Sequence, residues 1–392
     1  MSTSLQTPGR GLAPASMWFR GILFAFGLVL LAAFFVSCGS GKLPAFQSGQ
    51  NAYVTLPTQN SVLQLTIDGL TGQITMGTQT PQVGGTSPKG IALLANKYLY
   101  VANSQANTIS TFTVAGDGTL NQVGTPIPSG GTGPDAAVID SSGKYLFVSN
   151  NFSNNISVFS IDSSSGALTA VAGSPFFAND TPGEIFILPS DNFVYVTNSR
   201  IGTVTAFALD SSTGILTPVP GSPFESGAGA SGLAVDSTDS FLYVANTSAV
   251  NPGSVATGNI SGFNINSTTG SLSPISGSPF TSNVGAGPTT LVAAPNGRFL
   301  VSTTSGSSYS VWCFSIIPTT GQLLSEPNSP FSVAAGNLFA LIDSTGSFFY
   351  IGSQSANGVE AYTLNSNNCV PAIVTHSPFS FGTAPGKMVI AP

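Results

Sequence analysis

The sequence has few charged side chains: its 392 residues include 9 Lys and Arg and 15 Asp and Glu, which is 6% of the chain. A typical soluble domain has about 25%. No run of basic residues occurs and the formal net charge is −6, which argues against nucleic acid as a partner. One His and three Cys supply too few ligands for a typical metal site, so we expect neither a metal nor another cofactor. The absence of a G-x-S-x-G motif argues against a Ser-His-Asp hydrolase of that type.

Apolar and turn-forming residues are abundant instead. Hydrophobic residues make up 42% of the chain and include 27 Phe, which excludes a polar disordered chain. The 45 Gly and 27 Pro favour many turns and argue against long helices. The chain can therefore bury a core, and an all-β chain of this length can fold as one domain.

The N-terminal segment has the features of a targeting sequence. Residues 1–20 contain Arg10 and Arg20 and no acidic residue. Residues 21–37 form an apolar run that ends immediately before Cys38. A run of this length fits the hydrophobic region of a secretory signal or a short membrane anchor.

The last residues of this segment, Phe35-Val36-Ser37-Cys38, resemble the lipobox of bacterial lipoproteins, in which the Cys becomes the first mature residue and carries the lipid. The resemblance implies a signal peptide over residues 1–37 and a flexible tether over residues 38–50. It also implies a place in the bacterial cell envelope, periplasmic or on the cell surface, with the membrane as partner through lipidated Cys38. The alternative is an uncleaved anchor in which Cys38 has no such role.

A short motif of an aromatic residue, Val, a small residue and Asn recurs through the rest of the chain. Clear copies begin at Tyr100, Phe147, Tyr195 and Tyr243, and degenerate copies begin at Tyr53, Leu300 and Tyr350. Successive copies are 47, 47, 48, 48, 57 and 50 residues apart. This regular spacing indicates seven structural repeats.

Each repeat contains four short β-type segments separated by Gly, Asn, Asp and Ser turns. In the fourth repeat they cover residues 185–188, 193–197, 203–209 and 216–219. Five repeats end with Ser-Pro-Phe, at Ser174, Ser222, Ser278, Ser329 and Ser377. Because Pro cannot donate to a β-ladder, we expect it to end the outer strand and leave the Phe to pack between neighbouring sheets.

Four strands per repeat of this length are typical of a β-propeller blade. The first repeat begins at its second strand, and residues 387–391 at the C-terminus look like the missing first strand. The sequence therefore predicts one all-β domain over residues 51–392, a seven-bladed β-propeller with four-stranded antiparallel blades. We expect the C-terminal strand to pair with the N-terminal blade and close the ring, which removes open sheet edges.

The repeated tetrapeptide, as in Tyr195-Val196-Thr197-Asn198, resembles the YVTN-type seven-bladed propellers. These are grouped with the lactonase-type propellers that include 6-phosphogluconolactonase and the fungal muconate-lactonizing enzymes. The resemblance covers about residues 50–392. It implies the propeller fold and raises lactone hydrolysis as an activity. The muconate-lactonizing relatives use His, Arg and Glu at the channel; Glu184 and Arg200 correspond to two of these, whereas no His falls on a channel position.

Charged residues cluster on one predicted face, the mouth, which is formed by the starts of the innermost strands and the loops between second and third strands. Lys89, Asp135, Glu184 and Lys387 stand at four neighbouring strand starts, and Arg200 lies in a loop of the same face. In the functional interpretation the three basic residues bind an anionic or carbonyl-bearing ligand and Glu184 or Asp135 acts as acid or base. In the alternative, these are rim residues that pair across adjacent blades.

The two later cysteines also leave two alternatives open. Cys313 lies in an alternating strand, and Cys369 lies in a turn of the next repeat. They can form a disulfide in an oxidising compartment, or Cys313 can remain a buried free thiol.

Two functions follow from these observations. The first is an exported binding or scaffold module whose ligand, a protein or a small molecule, is unknown. The second is a lactone hydrolase in which Glu184 and Arg200 are catalytic and Lys89, Asp135 and Lys387 bind a small anionic or lactone ligand.

Overall fold

A computed structural model describes residues 49–80, 82–247, 258–281, 287–304, 309–327, 329–334 and 336–391. The predicted signal peptide and its lipidation residue Cys38 lie outside these ranges. Within them the one helix is the short 3₁₀ turn Pro57–Gln59, and no helix is long and apolar enough to cross a membrane.

The described residues form seven antiparallel sheets, which we number as blades 1 to 7. Blade 1 contains β1 (Gly49–Leu56), β2 (Ser61–Asp68), β3 (Ile74–Gln79) and the C-terminal strand β33 (Met388–Ile390), and blade 2 contains β4 (Pro88–Leu94), β5 (Tyr98–Asn103), β6 (Thr108–Val114) and β7 (Leu120–Pro128). Blade 3 contains β8 (Pro134–Ile139), β9 (Tyr145–Asn150), β10 (Asn155–Ile161), β11 (Leu168–Ala170) and β12 (Phe176–Phe177); blade 4 contains β13 (Pro182–Ile187), β14 (Phe193–Asn198), β15 (Thr203–Leu209), β16 (Leu216–Pro218) and β17 (Phe224–Glu225); and blade 5 contains β18 (Ala230–Val235), β19 (Phe241–Asn246), β20 (Asn259–Ile265), β21 (Leu272–Pro274) and β22 (Phe280–Thr281). Blade 6 contains β23 (Pro288–Ala293), β24 (Phe299–Thr304), β25 (Ser310–Ile316), β26 (Leu323–Ser325) and β27 (Phe331–Ser332), and blade 7 contains β28 (Asn337–Ile342), β29 (Phe348–Ser353), β30 (Gly358–Leu364), β31 (Pro371–Ile373) and β32 (Phe379–Ser380).

This architecture confirms the predicted seven-bladed propeller. In blades 2 to 7 four consecutive strands pair in sequence order, from the innermost strand outward. In blade 1 the C-terminal strand β33 is innermost and is followed by β1, β2 and β3. Blades 3 to 7 each add a fifth strand of two residues, which the sequence pattern did not indicate. This extra strand begins at the Phe of Ser-Pro-Phe and pairs with the start of the third strand, as Phe176 does with Ile156.

The C-terminal strand closes the ring as expected. β33 pairs with β1 in blade 1, so that Val54 lies opposite Met388 and Ala52 opposite Ile390. Immediately before β33, the Lys387 amide donates to the Thr55 hydroxyl, 2.9 Å away. The first and last strands of the domain therefore belong to one sheet, and β1 begins at Gly49, two residues before the predicted start of the domain.

The core is distributed over the junctions between blades. Seven hydrophobic clusters are present in the described part of the chain, and each combines side chains from two adjacent blades. The Phe of Ser-Pro-Phe packs against them, as Phe176 does at the junction of blades 3 and 4. The Ser of that motif accepts a hydrogen bond from a third-strand amide, for example Ser222 from Ala206 at 2.9 Å.

The motif Tyr connects each of five blades to the next. Its hydroxyl donates to the carbonyl of a residue in the turn between the third and fourth strands of the neighbouring blade. The pairs are Tyr53–Gly118, Tyr100–Gly166, Tyr195–Gly270, Tyr243–Gly321 and Tyr350–Gly72, at 2.7 to 3.5 Å. Each of these Gly residues has a positive φ, between 69° and 83°, which favours glycine.

The Asn of the motif forms hydrogen bonds between two strands at the mouth end of its own blade. In blade 4 the Asn198 amide nitrogen donates to the hydroxyls of Thr203 and Thr205 on the next strand, at 3.1 and 2.7 Å. Asn103 also donates to two hydroxyls of the next strand. Asn150 and Asn246 each donate to one Ser hydroxyl and to the side-chain oxygen of an Asn on that strand. The repeated tetrapeptide is therefore explained by packing within and between blades.

Blade 6 lacks the motif Tyr, and a disulfide joins it to blade 7. Val301 stands opposite Cys313, as Tyr243 stands opposite Gly262 in blade 5. The degenerate copy thus begins at Val301, and its predicted start at Leu300 was one residue early. Cys313 is bonded to Cys369, with the Cα atoms 6.3 Å apart. Cys369 occupies the turn position, with φ 56°, that is Gly in other blades.

Carboxylates at the starts of the turns between third and fourth strands accept hydrogen bonds that stabilise their ionised form. Asp162 accepts hydrogen bonds from the amides of Ser164 and Ser165, each at 2.9 Å. The Ser164 hydroxyl and these amides lower the pKa of Asp162 from 3.8 to about 2, and Ser212 and its neighbour do the same for Asp210. In blade 5, Asn266 has the same role without a charge.

We expect the thermal midpoint to fall as pH is lowered from about 4 to 2, because ionised Asp162 and Asp210 stabilise the fold only above their lowered pKa. Asn at both positions should make this acid dependence shallower while leaving the midpoint at pH 7 nearly unchanged, since Asn266 already forms this turn. Unfolding curves from pH 7 to 2 check this. An unchanged acid slope in the double variant would contradict it.

Candidate functional site

The mouth is built where the innermost strands begin. Loops between second and third strands bond to the segments that lead into these strands; for example, the Asn151 amide donates to the Gly133 carbonyl at 2.9 Å. Lys89, Asp135 and Glu184 stand near the starts of β4, β8 and β13, and Lys387 directly precedes β33. The structure therefore brings these four predicted residues to one end of the channel.

Blades 2 and 3 approach each other closely beside the first of these residues. A Cβ atom at Gly90 would lie 2.9 Å from the backbone of Ala136, so a larger residue does not fit there without a shift. The close approach of β4 and β8 places the Lys89 ammonium 2.9 Å from the Asp135 carboxylate.

The second ion pair crosses the channel. The Lys387 ammonium in blade 1 donates to Oε1 of Glu184 in blade 4, at 2.5 Å. Blades 1 and 4 are three positions apart in a ring of seven, so this contact is not the adjacent-blade pairing of a rim. Both side chains are partly accessible, with 26% of Lys387 and 43% of Glu184 exposed.

Arg200 is not part of this group. Its guanidinium lies 3.5 Å from Asp180, and 77% of the side chain is exposed. Neither of the cavities described below includes it in its lining. The sequence placed Arg200 on the correct face but did not identify its partner Asp180, which stands in the loop before β13.

The two ion pairs influence each other's protonation. Burial raises the pKa of Asp135, but the charges of Lys387 and Lys89 outweigh it and leave this pKa below its ordinary value. Burial lowers the pKa of Lys387, but Glu184 and Asp135 outweigh it and leave this pKa raised. Asp135 and Lys387 are therefore both charged at neutral pH.

Two cavities meet at the Lys387–Glu184 pair. One, of about 360 Å³, lies on the side of the first ion pair and is lined by Lys89, Asp135 and Pro57. The other, of about 190 Å³, is lined by neutral residues of blades 5 to 7, namely Gly232, Leu233, Thr289, Thr290, Leu291, Leu338, Phe339, Ala340 and Leu341. Glu184, Leu338 and Lys387 line both cavities. A ligand at the mouth therefore meets a charged wall on one side and a neutral wall on the other.

The seven antiparallel sheets place this protein in the class of seven-bladed β-propellers. The sequence also matches the family described as Lactonase, 7-bladed beta-propeller, over residues 39–182, 130–223 and 189–340, which together span more than half of the chain. The protein is a member of this lactonase-type propeller family. No curated protein matches the sequence.

Solved structures share this fold at low sequence identity. A Bacteroides fragilis protein, provisionally named a 6-phosphogluconolactonase, is 17% identical, with a TM-score of 0.75 over 90% of this chain and 100% of that one. The Pseudomonas aeruginosa periplasmic gluconolactonase PpgL is 15% identical, with a TM-score of 0.72 over 88% of this chain and 99% of that one. At these identities the neighbours show that the fold is shared.

Proposed function

We propose that the protein hydrolyses a small lactone at the channel mouth. The observation that carries this proposal is the Lys387–Glu184 pair, which spans the channel and lines both cavities. It places a proton acceptor and a cation beside the same space, as acyl transfer to water requires. Membership of the lactonase-type family supports the same chemistry.

In the proposed reaction Glu184 takes a proton from water as the water oxygen attacks the lactone carbonyl carbon. The Lys387 ammonium donates a hydrogen bond to the carbonyl oxygen and stabilises the negative charge that develops there. The bond between the carbonyl carbon and the ring oxygen then breaks, and Glu184 returns its proton to the ring oxygen. The product is a hydroxy acid, which ionises in water.

The other ion pair has a supporting role in this proposal. Lys89 and Asp135 line the larger cavity, and we expect them to contact the ligand. The Asp135 charge also raises the pKa of Lys387, after the larger effect of Glu184, and so helps to keep the ammonium protonated. Arg200, which lies beside Asp180, has no part in the reaction.

The experiment that tests the proposal is the hydrolysis of a panel of small lactones by the purified protein, followed by acid release. Each lactone is compared with its spontaneous hydrolysis in the same buffer. Turnover above that background supports the proposal, and no turnover of any lactone in the panel would falsify it for that panel.

We also propose that the protein is a lipoprotein of the cell envelope, anchored through Cys38. The sequence resemblance of residues 35–38 to a lipobox supports this, and the name of the periplasmic neighbour PpgL fits an envelope location. A Cys38→Ala variant should remain an uncleaved precursor or leave the membrane fraction. Unchanged processing and membrane association of this variant would overturn the proposal.

A further inference from the structure

The basic side chains at the mouth are few. Residues 49–392 contain six Lys and Arg residues, and the internal positions outside the described ranges contain none. Three of the six, Lys97, Lys144 and Arg298, lie in or beside turns between first and second strands, at the end of the blades opposite the mouth. Within the described ranges, the mouth therefore has three basic side chains, Lys89, Arg200 and Lys387.

Each of these three already has a carboxylate partner. Lys89 lies 2.9 Å from Asp135, Lys387 lies 2.5 Å from Glu184, and Arg200 lies 3.5 Å from Asp180. Asp135 stays ionised because nearby lysines keep its pKa low. The charges of the three pairs therefore cancel, and among the described residues the mouth presents no basic group without an acidic partner.

A phosphorylated ligand fits this arrangement poorly. A phosphate monoester carries nearly two negative charges at neutral pH and is usually bound by unpaired Arg or Lys or by the N-terminus of a helix. The described part of the chain contains no α-helix, and its cations at the mouth are paired. A phosphate would have to displace Asp135 or Glu184 or lie beside their charges.

An uncharged lactone fits both walls. The smaller cavity offers the exposed side chain of Leu338 to apolar atoms. The hydroxyls of Thr289 and Thr290, which also bond to Thr303, face hydroxyl groups of the ligand in this arrangement. The ion pairs can then stay intact, except where Lys387 and Glu184 contact the carbonyl and the water. The hydroxy acid product is an anion and lies beside Glu184 and Asp135, which favours its release.

We infer that the mouth selects an uncharged lactone and discriminates against its phosphorylated counterpart, with Asp135 as a specificity-determining residue. This inference rests on the proposed lactone hydrolysis. Because Asp135 cancels the charge of Lys89, removing the Asp135 charge should create an unpaired ammonium at the wall of the larger cavity.

The test compares D-glucono-δ-lactone with its 6-phosphate, using the full-length protein at low ionic strength. We expect kcat/KM to be at least tenfold higher for the uncharged lactone. The Asp135→Asn variant should raise kcat/KM for the phosphate relative to the uncharged lactone by about tenfold. Asp210→Asn, which removes the same charge from an exposed turn away from the mouth, should leave the ratio unchanged.

The outcomes separate the two proposals. Turnover of neither lactone would overturn lactone hydrolysis itself, and the inference with it. Equal turnover of both, or preference for the phosphate, would overturn only the charge discrimination. If Asp135→Asn does not fold, the inhibition of the parent protein by inorganic phosphate is measured instead. We expect weak inhibition that does not increase at low ionic strength. Strong inhibition at low ionic strength would overturn the inference.

Discussion

Replacing Glu184 with Gln should reduce lactone turnover by about 10² to 10⁴-fold, the range typical of a lost general base. Gln has nearly the same shape but cannot take the proton from water. The loss should appear mainly in kcat, because the amide still fills the place of the carboxylate beside Lys387. Initial rates on the lactone that the parent hydrolyses best measure the effect, and a Glu184→Gln variant with parental activity would rule out Glu184 as the base.

Three further variants distinguish the loss of a catalytic group from a general loss of folded protein in this experiment. Lys387→Met should lose activity comparably, because the carbonyl oxygen loses its cation. Lys144→Met removes the same charge at the opposite end of the blades and should keep parental rates. Arg200→Ala should also stay within about twofold, since a largely exposed ion pair contributes little. The sequence alone predicts a large loss for Arg200→Ala, so this variant distinguishes the two expectations.

Removing the Cys313–Cys369 disulfide should lower the free energy of unfolding by about 4 kcal/mol, the chain-entropy expectation for its sequence separation of 56 residues. The bond joins blades 6 and 7 at the junction where Val301 replaces the Tyr of other blades. Denaturant unfolding of the parent and of Cys313→Ser/Cys369→Ser measures the difference.

Two comparisons make this measurement specific. Reductant should destabilise the parent but have no effect on the double variant. Tyr243→Phe, which removes the equivalent hydrogen bond between blades 5 and 6, should cost about 1 kcal/mol. A double variant as stable as the parent, with equal unfolding slopes, would contradict a stabilising role for the bond.

The fold could be predicted from the sequence because its signals are local. Alternation along residues 203–209, Asx and Gly turns, and the spacing of the tetrapeptide each depend on a few neighbouring residues. The closure of the ring could be predicted because the first repeat lacks its first strand and the C-terminus has one additional strand. The errors arose where local signals fail: strands of two residues show no alternation, and Val301 lacks the aromatic ring that marks the register in other blades.

The candidate site was predicted only in part. The sequence placed five charged residues on one face, because strand starts and loops between second and third strands share that face. It could not assign their partners, since two carboxylates stand within five residues of each other, at Asp180 and Glu184, and either could pair with Arg200. For the same reason the sequence did not decide whether Cys313 is a free thiol or part of a disulfide, because only the structure shows that Cys369 lies beside it.

The sequence by itself determined the scarcity of charge, the seven repeats and the face on which the remaining charges gather. Only the tertiary structure decided that Lys387 reaches Glu184, 203 residues away in the chain and three blades around the ring. Such a contact depends on the curvature and closure of the whole ring, which are set by the packing of seven blade junctions. No local sequence pattern determines how close these two side chains lie in space, whereas the alternation of a strand depends only on neighbouring residues.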